Sequence, residues 1–215
     1  MGTVPDPPRT TTRGHGTRQR ILDVAQESIL AKGFDATSIE EIVAGAHITR
    51  SGFFYHFPDK NALARALIER YLAEDRVVLG GVFARAAELS EDPLQRFLIA
   101  LKLLAEVMAD MPSGHPGCIV ATVCYQERLF DQRVRDLNRD SVLAWRALFH
   151  AELAKVAERY APRDPVELEE LADMISTVIE GGIILAKALR DPPALSRQIL
   201  MQRTFVKLLF SPAPA

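Results

Sequence analysis

From residue 17 to about residue 210, apolar side chains recur at three- and four-residue spacing, and no segment alternates with the period of two that a half-buried strand needs. Such a chain can hide its apolar stripes only by packing helix on helix, so it reads as all-α. Ile21, Leu22, Ala25 and Ile29 form the first stripe, and Gly33 supplies a stop. Thr37 or Ser38 offers an N-cap, and Glu41, three residues after Ser38, completes a capping-box pattern. A short helix over 38–45 carries Ile39, Ile42, Val43 and Ala46. Thr49 opens another through about His56, which Pro58 ends. Residues 60–87 read as one long helix or two, with Gly80-Gly81 as the break. Pro93 begins the next, with Leu94, Phe97, Leu98, Leu101, Leu104 and Met108 as its buried stripe. Residues 118–130 read as an apolar helix, though periodicity alone would allow a strand. Residues 131–160 read as a long amphipathic helix. Residues 166–189 are apolar on several faces and so are expected to be buried on more than one side. A final helix runs to about Phe210. No internal repeat is present.

Of the 215 residues, 48% are hydrophobic and 25% charged, which fits a chain with a sizeable core. The formal charge of −2 excludes a simple polycation but leaves room for a local basic face. Cys118 and Cys124 cannot by themselves make a disulfide scaffold or a four-ligand zinc site, so no metal and no cofactor are expected. Residues 1–16 carry no apolar run of the secretory kind, and the longest apolar stretch, 175–189, contains Glu180 and Lys187 and is too short to span a bilayer. A soluble, cytoplasmic protein with no membrane partner is expected. Pro5, Pro7, Pro8 and a run of threonines make residues 1–16 read as a disordered arm. Over residues 1–20, Arg9, Arg13, Arg18 and Arg20 face only Asp6.

The stretch from Ser38 to Lys60 is the most informative. Two short helices joined by the turn Ala46-His47-Ile48 form a helix-turn-helix, whose second helix enters the DNA major groove. Its leading residues are Thr49, Arg50, Ser51 and Gly52. Arginine can bond a guanine edge through two donors, and Gly52 lets the backbone approach the duplex. Ile48, Phe53 and Phe57 fall on the inner face, which leaves Arg50, Phe54 and Tyr55 outward. Two outward aromatics on so short a helix call for something to cover them. Ser38, His56 and Lys60 complete the expected DNA-contacting set, Tyr55, His56 and Lys60 lying where phosphates would pass. Residues 1–60 hold seven basic and seven acidic residues, so binding must rest on local arrangement, with Glu40 and Glu41 expected to turn away from DNA.

The strings TSIEEIVAGA at 37–46 and ITRSGFFYHFPDKNAL at 48–63 closely resemble the DNA-binding domain of TetR-family transcriptional regulators. The resemblance implies a three-helix DNA-binding domain over 17–62. It further implies an effector-binding and dimerisation domain over 63–215, about nine helices in all. It also implies a homodimer on a palindromic operator, acting as a repressor that a small-molecule effector releases. HPGCIV at 115–120 resembles the start of a pocket helix in one branch of that family. EGGIILAKA at 180–188 resembles its dimerisation helix, where Gly181 and Gly182 would let two backbones come close. Gly181, Gly182, Leu185 and Phe205 are the expected interface residues, on the last two helices. His56 and Lys60 match family positions and carry phosphate roles across. His47 stands where the family usually has Gly, and Phe54 where it commonly has Tyr.

An effector cavity is implied by the same resemblance. Its candidate lining is Leu103, Val107, Met108, Cys124, Glu127, Trp145, Phe149, Met174 and Val178. Such a lining favours an apolar or aromatic effector. Glu127 and Glu180 are the acids closest to apolar surroundings, and either one facing a cavity would favour a cationic or hydrogen-bonding ligand instead. No paired carboxylates at useful spacing, phosphate-binding glycine loop or nucleophile constellation is present, so the chain does not read as an enzyme. The remaining alternative is a helical ligand sensor or activator with altered DNA binding, a reading to which His47 and Phe54 lend weight.

Overall fold

The computed structural model describes residues 11–210, with side chains from Gly16 onward. Among the described residues there are nine α-helices and no strand. They are α1 (Thr11–Ala36), α2 (Ile39–Gly45), α3 (Arg50–His56), α4 (Lys60–Leu89), α5 (Pro93–Ala109), α6 (Ile119–Tyr125), α7 (Gln132–Ala157), α8 (Leu168–Leu189) and α9 (Ala194–Phe210). Of the arm expected over 1–16, residues 1–10 lie outside the described residues, and backbone from Thr11 is helical.

Short polar side chains start most of these helices by satisfying N–H groups that have no partner within the helix. Ser38 accepts from the Glu41 N–H at 3.1 Å and Thr49 from the Gly52 N–H at 3.1 Å. Asp59, Asp92 and Asp131 do the same for α4, α5 and α7 at 2.7–2.9 Å. Each such cap stabilises its helix by about 1 kcal/mol. Gly33, with φ at +88°, breaks α1 as expected.

Helix α4 runs unbroken through Gly80-Gly81. A Cβ at either position would meet nothing within 4 Å, so these glycines lie on an open face and do not bend the helix. Its thirty residues make a rod of about 45 Å. It packs on α1 near its start and on α5, α6 and α7 further along, so one continuous core joins both halves of the chain. In the C-terminal half α5 lies against α4 and α9, α9 against α8, and α8 against α7. Arg146 and Asp173 tie α7 to α8 through two bonds at 2.8 and 2.6 Å.

Two expectations are corrected. The apolar helix expected over 118–130 ends at Tyr125, and a short 3-10 turn covers Glu127–Leu129. Helix α8 is buried on more than one side as expected, against α7 and α9, and leaves Ile184, Leu185 and Leu189 exposed. Gly182 is buried, and its Cβ would lie 2.7 Å from Leu195 Cδ1 and 3.2 Å from the Leu195 Cα. The close approach that requires this glycine is therefore between α8 and α9 of one chain, whereas Gly181 beside it has open space.

These packings separate the glycines. Gly80→Ala and Gly81→Ala should each raise stability by up to about 1 kcal/mol through helix propensity alone. Gly182→Ala should lower it by about 1–3 kcal/mol, because α8 and α9 must part. Denaturant titration of the three variants checks the opposite signs.

Candidate DNA-binding surface and interior cavity

Helix α3 is divided by burial as its sequence requires. Phe53 and Phe57 are buried, with ring centroids 5.9 Å apart, beside Ile42 and the partly buried Ile39, Val43 and Ile48. The opposite face is bare: Tyr55 is 84% exposed and Phe54 38%. The Arg50 guanidinium lies 5.8 Å from the Phe54 ring, and Tyr55 meets His56 edge to face at 5.0 Å. Thr49 and Ser51 share a hydrogen bond of 3.0 Å at the start of the helix. Gly52 has a local reason to be glycine, since a Cβ there would sit 3.3 Å from the capping hydroxyl of Thr49. His47 occupies the turn at φ +53°, a left-handed conformation that strains any residue with a Cβ. A glycine that sequence reasoning passed over is Gly45, where a Cβ would come within 2.7 Å of Val24 on α1.

The charges on this face differ from expectation in two places. Glu41 does turn inward: Lys32 and Ser28 bond its carboxylate at 2.6 and 2.9 Å and hold it below the usual carboxylate range. Glu40 does not, and pairs with Arg50 at 3.1 Å in the open. Lys60 is withdrawn from the surface. Its Nζ donates to the Thr37 and Phe34 carbonyls at 2.7 and 3.3 Å, sealing the end of α1. Because those carbonyls have no helical partners, a lysine in the first turn of α4 reaches back to them.

A cavity of about 530 Å³ opens among α4 to α8. Helix α4 contributes Tyr71, Asp75, Val78 and Leu79, one face of a 3.6-residue repeat. Helix α5 adds Leu104 and Met108, and α7 adds Val142, Trp145 and Phe149. Helix α6 adds Val120, Ala121, Cys124 and Tyr125, with His115 and Cys118 just before it. Helix α8 adds Ser176, Thr177, Ile179, Glu180, Ile183 and Ile184. Of the lining expected from sequence, Met108, Cys124, Trp145 and Phe149 face this space. Leu103, Val107, Glu127, Met174 and Val178 do not. Leu103 and Met174 pack against the core instead, Val107 is exposed, and Glu127 leaves with the 3-10 turn. Asp75 and Tyr71 were missed. The spacing 71, 75, 78, 79 was the available signal, masked because Glu74-Asp75-Arg76 looks like a solvated charge run.

Burial governs the chemistry inside. It pushes the Asp75 carboxyl up to about 6, partly offset by the Trp145 indole beside it, with Glu74 adding like charge. Glu180 is raised for the same reason, against the Cys118 thiol and the charge of Lys187. His115 is pushed down to about 4 by burial and by Lys187, so it is neutral. Cys118 rises to about 12, through burial first and then Glu180, and a protonated thiol is a poor nucleophile. Cys124 accepts from Asn138 at 3.1 Å.

One of the bridges from the cavity-lining helices to the end of α1 is a glutamine. Gln126, next to Tyr125, accepts from the Phe34 and Asp35 N–H groups at 2.8 and 3.4 Å, where Gly33 has broken α1. Phe34 and Phe130 stack edge to face at 4.9 Å beside it. Among the described residues no helix is long and apolar enough to cross a membrane.

Residues 21–67 match the family model for bacterial regulatory proteins of the tetR family. The chain is 24% identical to the HTH-type transcriptional regulator YxaF of Bacillus subtilis, over 86% of this chain and 92% of that one. It is 40% identical to the HTH-type transcriptional regulator AcrR of Shigella flexneri over a quarter of each chain. A TetR-family transcriptional regulator of Agrobacterium tumefaciens has a solved structure with a TM-score of 0.74 at 19% identity, covering 92% of this chain and 100% of that one.

Two outcomes follow from this geometry. His47→Val should cost about 1–2 kcal/mol, since β-branching tolerates the left-handed turn least, whereas His47→Gly should cost nothing. Thermal unfolding of both reads this. The second concerns pH. His115 contributes stability that is full above pH 6.5 and lost as the pH falls toward about 4. Asp75 works oppositely, contributing stability below pH 3.8 that is lost as the pH rises through about 6. Between about pH 4 and 6.5, His115→Gln should therefore shift the slope of melting temperature against pH below that of the wild type, and Asp75→Asn should shift it above.

Proposed function

We propose that this chain, which belongs to the TetR family of transcriptional regulators, represses transcription by binding a palindromic operator as a homodimer and leaves it when an effector fills the interior cavity. The observation that carries this reading is the bare face of α3. Arg50, Phe54 and Tyr55 stand outward from a helix whose other side is fully packed, and a major groove would cover them. Thr49, Ser51, Gly52 and the Ser38 cap lie at the leading ends of the two short helices, in reach of base edges and backbone, with His56 at the trailing end.

A second copy suits the exposed apolar stripe that α8 and α9 share. Leu185, Leu189, Met201, Phe205 and Leu208 all stand open on these two adjacent helices, and their pairing would form a four-helix interface. Such a dimer would set two α3 helices about 34 Å apart, one turn of duplex. The lining of the cavity is mostly carbon with several aromatic rings, which suits an effector with an apolar or aromatic body. The effector acts through α6. Its arrival against Ala121, Cys124 and Tyr125 displaces Gln126 from the end of α1 and so re-aims α2 and α3. Release requires an effector that favours the displaced arrangement.

A second reading is favoured by the Arg50–Glu40 pair and the withdrawn Lys60. On that reading the chain is a sensor with weak or conditional DNA binding. The pair is exposed and worth no more than about 1 kcal/mol, so a phosphate or guanine can displace Glu40. One experiment separates the readings. Selection from random duplex DNA should return a palindrome for the wild type. Fluorescence anisotropy on that sequence should show Arg50→Ala losing about 1–3 kcal/mol and relaxing sequence preference. Glu40→Gln should bind more tightly, since Arg50 is freed and a negative charge is lost. No enrichment by the wild type, or an unchanged preference in Arg50→Ala, favours the sensor.

A further inference from the structure

The cavity, read as the effector site, is charged as well as apolar. Two carboxylates enter its wall from different helices, Asp75 of α4 and Glu180 of α8. No lysine or arginine lines it. The charged group beside Asp75 is Glu74, of like sign, and its neighbouring donor is the neutral Trp145 indole. Glu180 has the Cys118 thiol and, further off, Lys187. The Lys187 ammonium stands outside the wall, its Nζ 3.4 Å from the Leu30 carbonyl on α1. His115 is neutral in its buried place. The wall therefore holds acidic groups that no cation within it balances. Around them stand the rings of Tyr71, Trp145 and Phe149, whose faces attract cations.

An apolar neutral ligand would strip the remaining water from both carboxylates and offer nothing in return. A cation carried on an apolar body would restore the ionised carboxylates and fill the carbon-lined space in one step. We propose that the cavity selects a lipophilic organic cation, an aromatic or branched apolar body bearing an amine or quaternary ammonium charge, and that Asp75 and Glu180 are the residues that read the charge.

The single tryptophan of the chain, Trp145, lines this cavity, so its fluorescence reports occupancy directly. The full chain is titrated with (1-naphthylmethyl)trimethylammonium and with its uncharged carbon isostere, 1-neopentylnaphthalene, both of which quench a nearby indole. The cation is expected to bind at least tenfold more tightly than the isostere. In the double variant Asp75→Asn, Glu180→Gln the ratio is expected to fall to about one, while the isostere binds as before, which reports that the cavity is still formed. Each single variant is expected to lose part of the preference. Equal binding of the two probes to the wild type overturns the charge assignment and leaves the effector-site reading standing. A preference that survives in the double variant also overturns it, because the charge is then read elsewhere. Quenching by neither probe overturns both, since the cavity then takes no aromatic ligand at all.

Discussion

Helix α4 has to satisfy two environments with one stiff rod. Its first turn closes the open end of α1 through Lys60, and its next turns bury Leu63, Ala64, Leu67 and Ile68 in the shared core. One turn further on, Tyr71 and Asp75 face the cavity, and beyond them Val82 and Ala86 are buried among the C-terminal helices. An α-helix shortens or bends only at a cost that its hydrogen bonds impose, and Gly80-Gly81 does not bend this one. A shift of the cavity wall is therefore also a shift of the socket at the end of α1. Most other packing relations in the chain hang from this rod, directly or through α5.

Much of the fold was legible because helices are local objects. Caps at Ser38 and Thr49, the stop at Gly33 and the start at Pro93 are written within a few residues of where they act. The apolar stripes follow a period that depends on backbone geometry alone. The end of α6 was not legible, because Gln126 leaves the helix for main-chain donors on α1, a partner distant in sequence. The cavity lining was half legible for a related reason. Periodicity says that a helix has a buried face, yet it does not say which neighbouring residue on that face borders a void and which borders another side chain. Leu104 was thus missed for Leu103, and Ile179 for Val178, while Glu180, one of the two acids that sequence placed near apolar surroundings, does line the void. Asp75 illustrates the limit most clearly. In the run Glu74-Asp75-Arg76 its carboxylate looks solvated, and only the packing of distant helices around the cavity, with Trp145 of α7 beside it, makes it an interior group. Gly182 was read as a contact for a second chain, when the neighbour that needs its missing Cβ is Leu195 of the same one.

On and around α3, a segment of balanced charge deploys its two signs unequally. Residues 1–60 carry equal numbers of acidic and basic groups, but the two signs are not spent alike. Glu41 is consumed by Ser28 and Lys32 on the side away from Arg50. Lys60 is consumed as well, at the seam, so the exposed positive charge of the short helices rests on Arg50, which Glu40 holds loosely. Aromatic surface supplies the remainder of what the helix offers. On the proposed reading, recognition by such a face would depend on a few displaceable contacts rather than on a field.

The junction at Gln126 has one more consequence. The amide engages the α1 end through the main-chain N–H groups of Phe34 and Asp35, not through their side chains. Gly33 is held to its identity there, since a Cβ would stand 3.1 Å from the amide and its φ of +88° already excludes most residues, and Phe34 is held by its ring contact with Phe130. A coupling made to backbone is blind to most substitutions on the partner. The three N-terminal helices can therefore drift in sequence while remaining plugged into an unaltered C-terminal body. Wiring of this kind lets the two halves of one chain change in sequence independently.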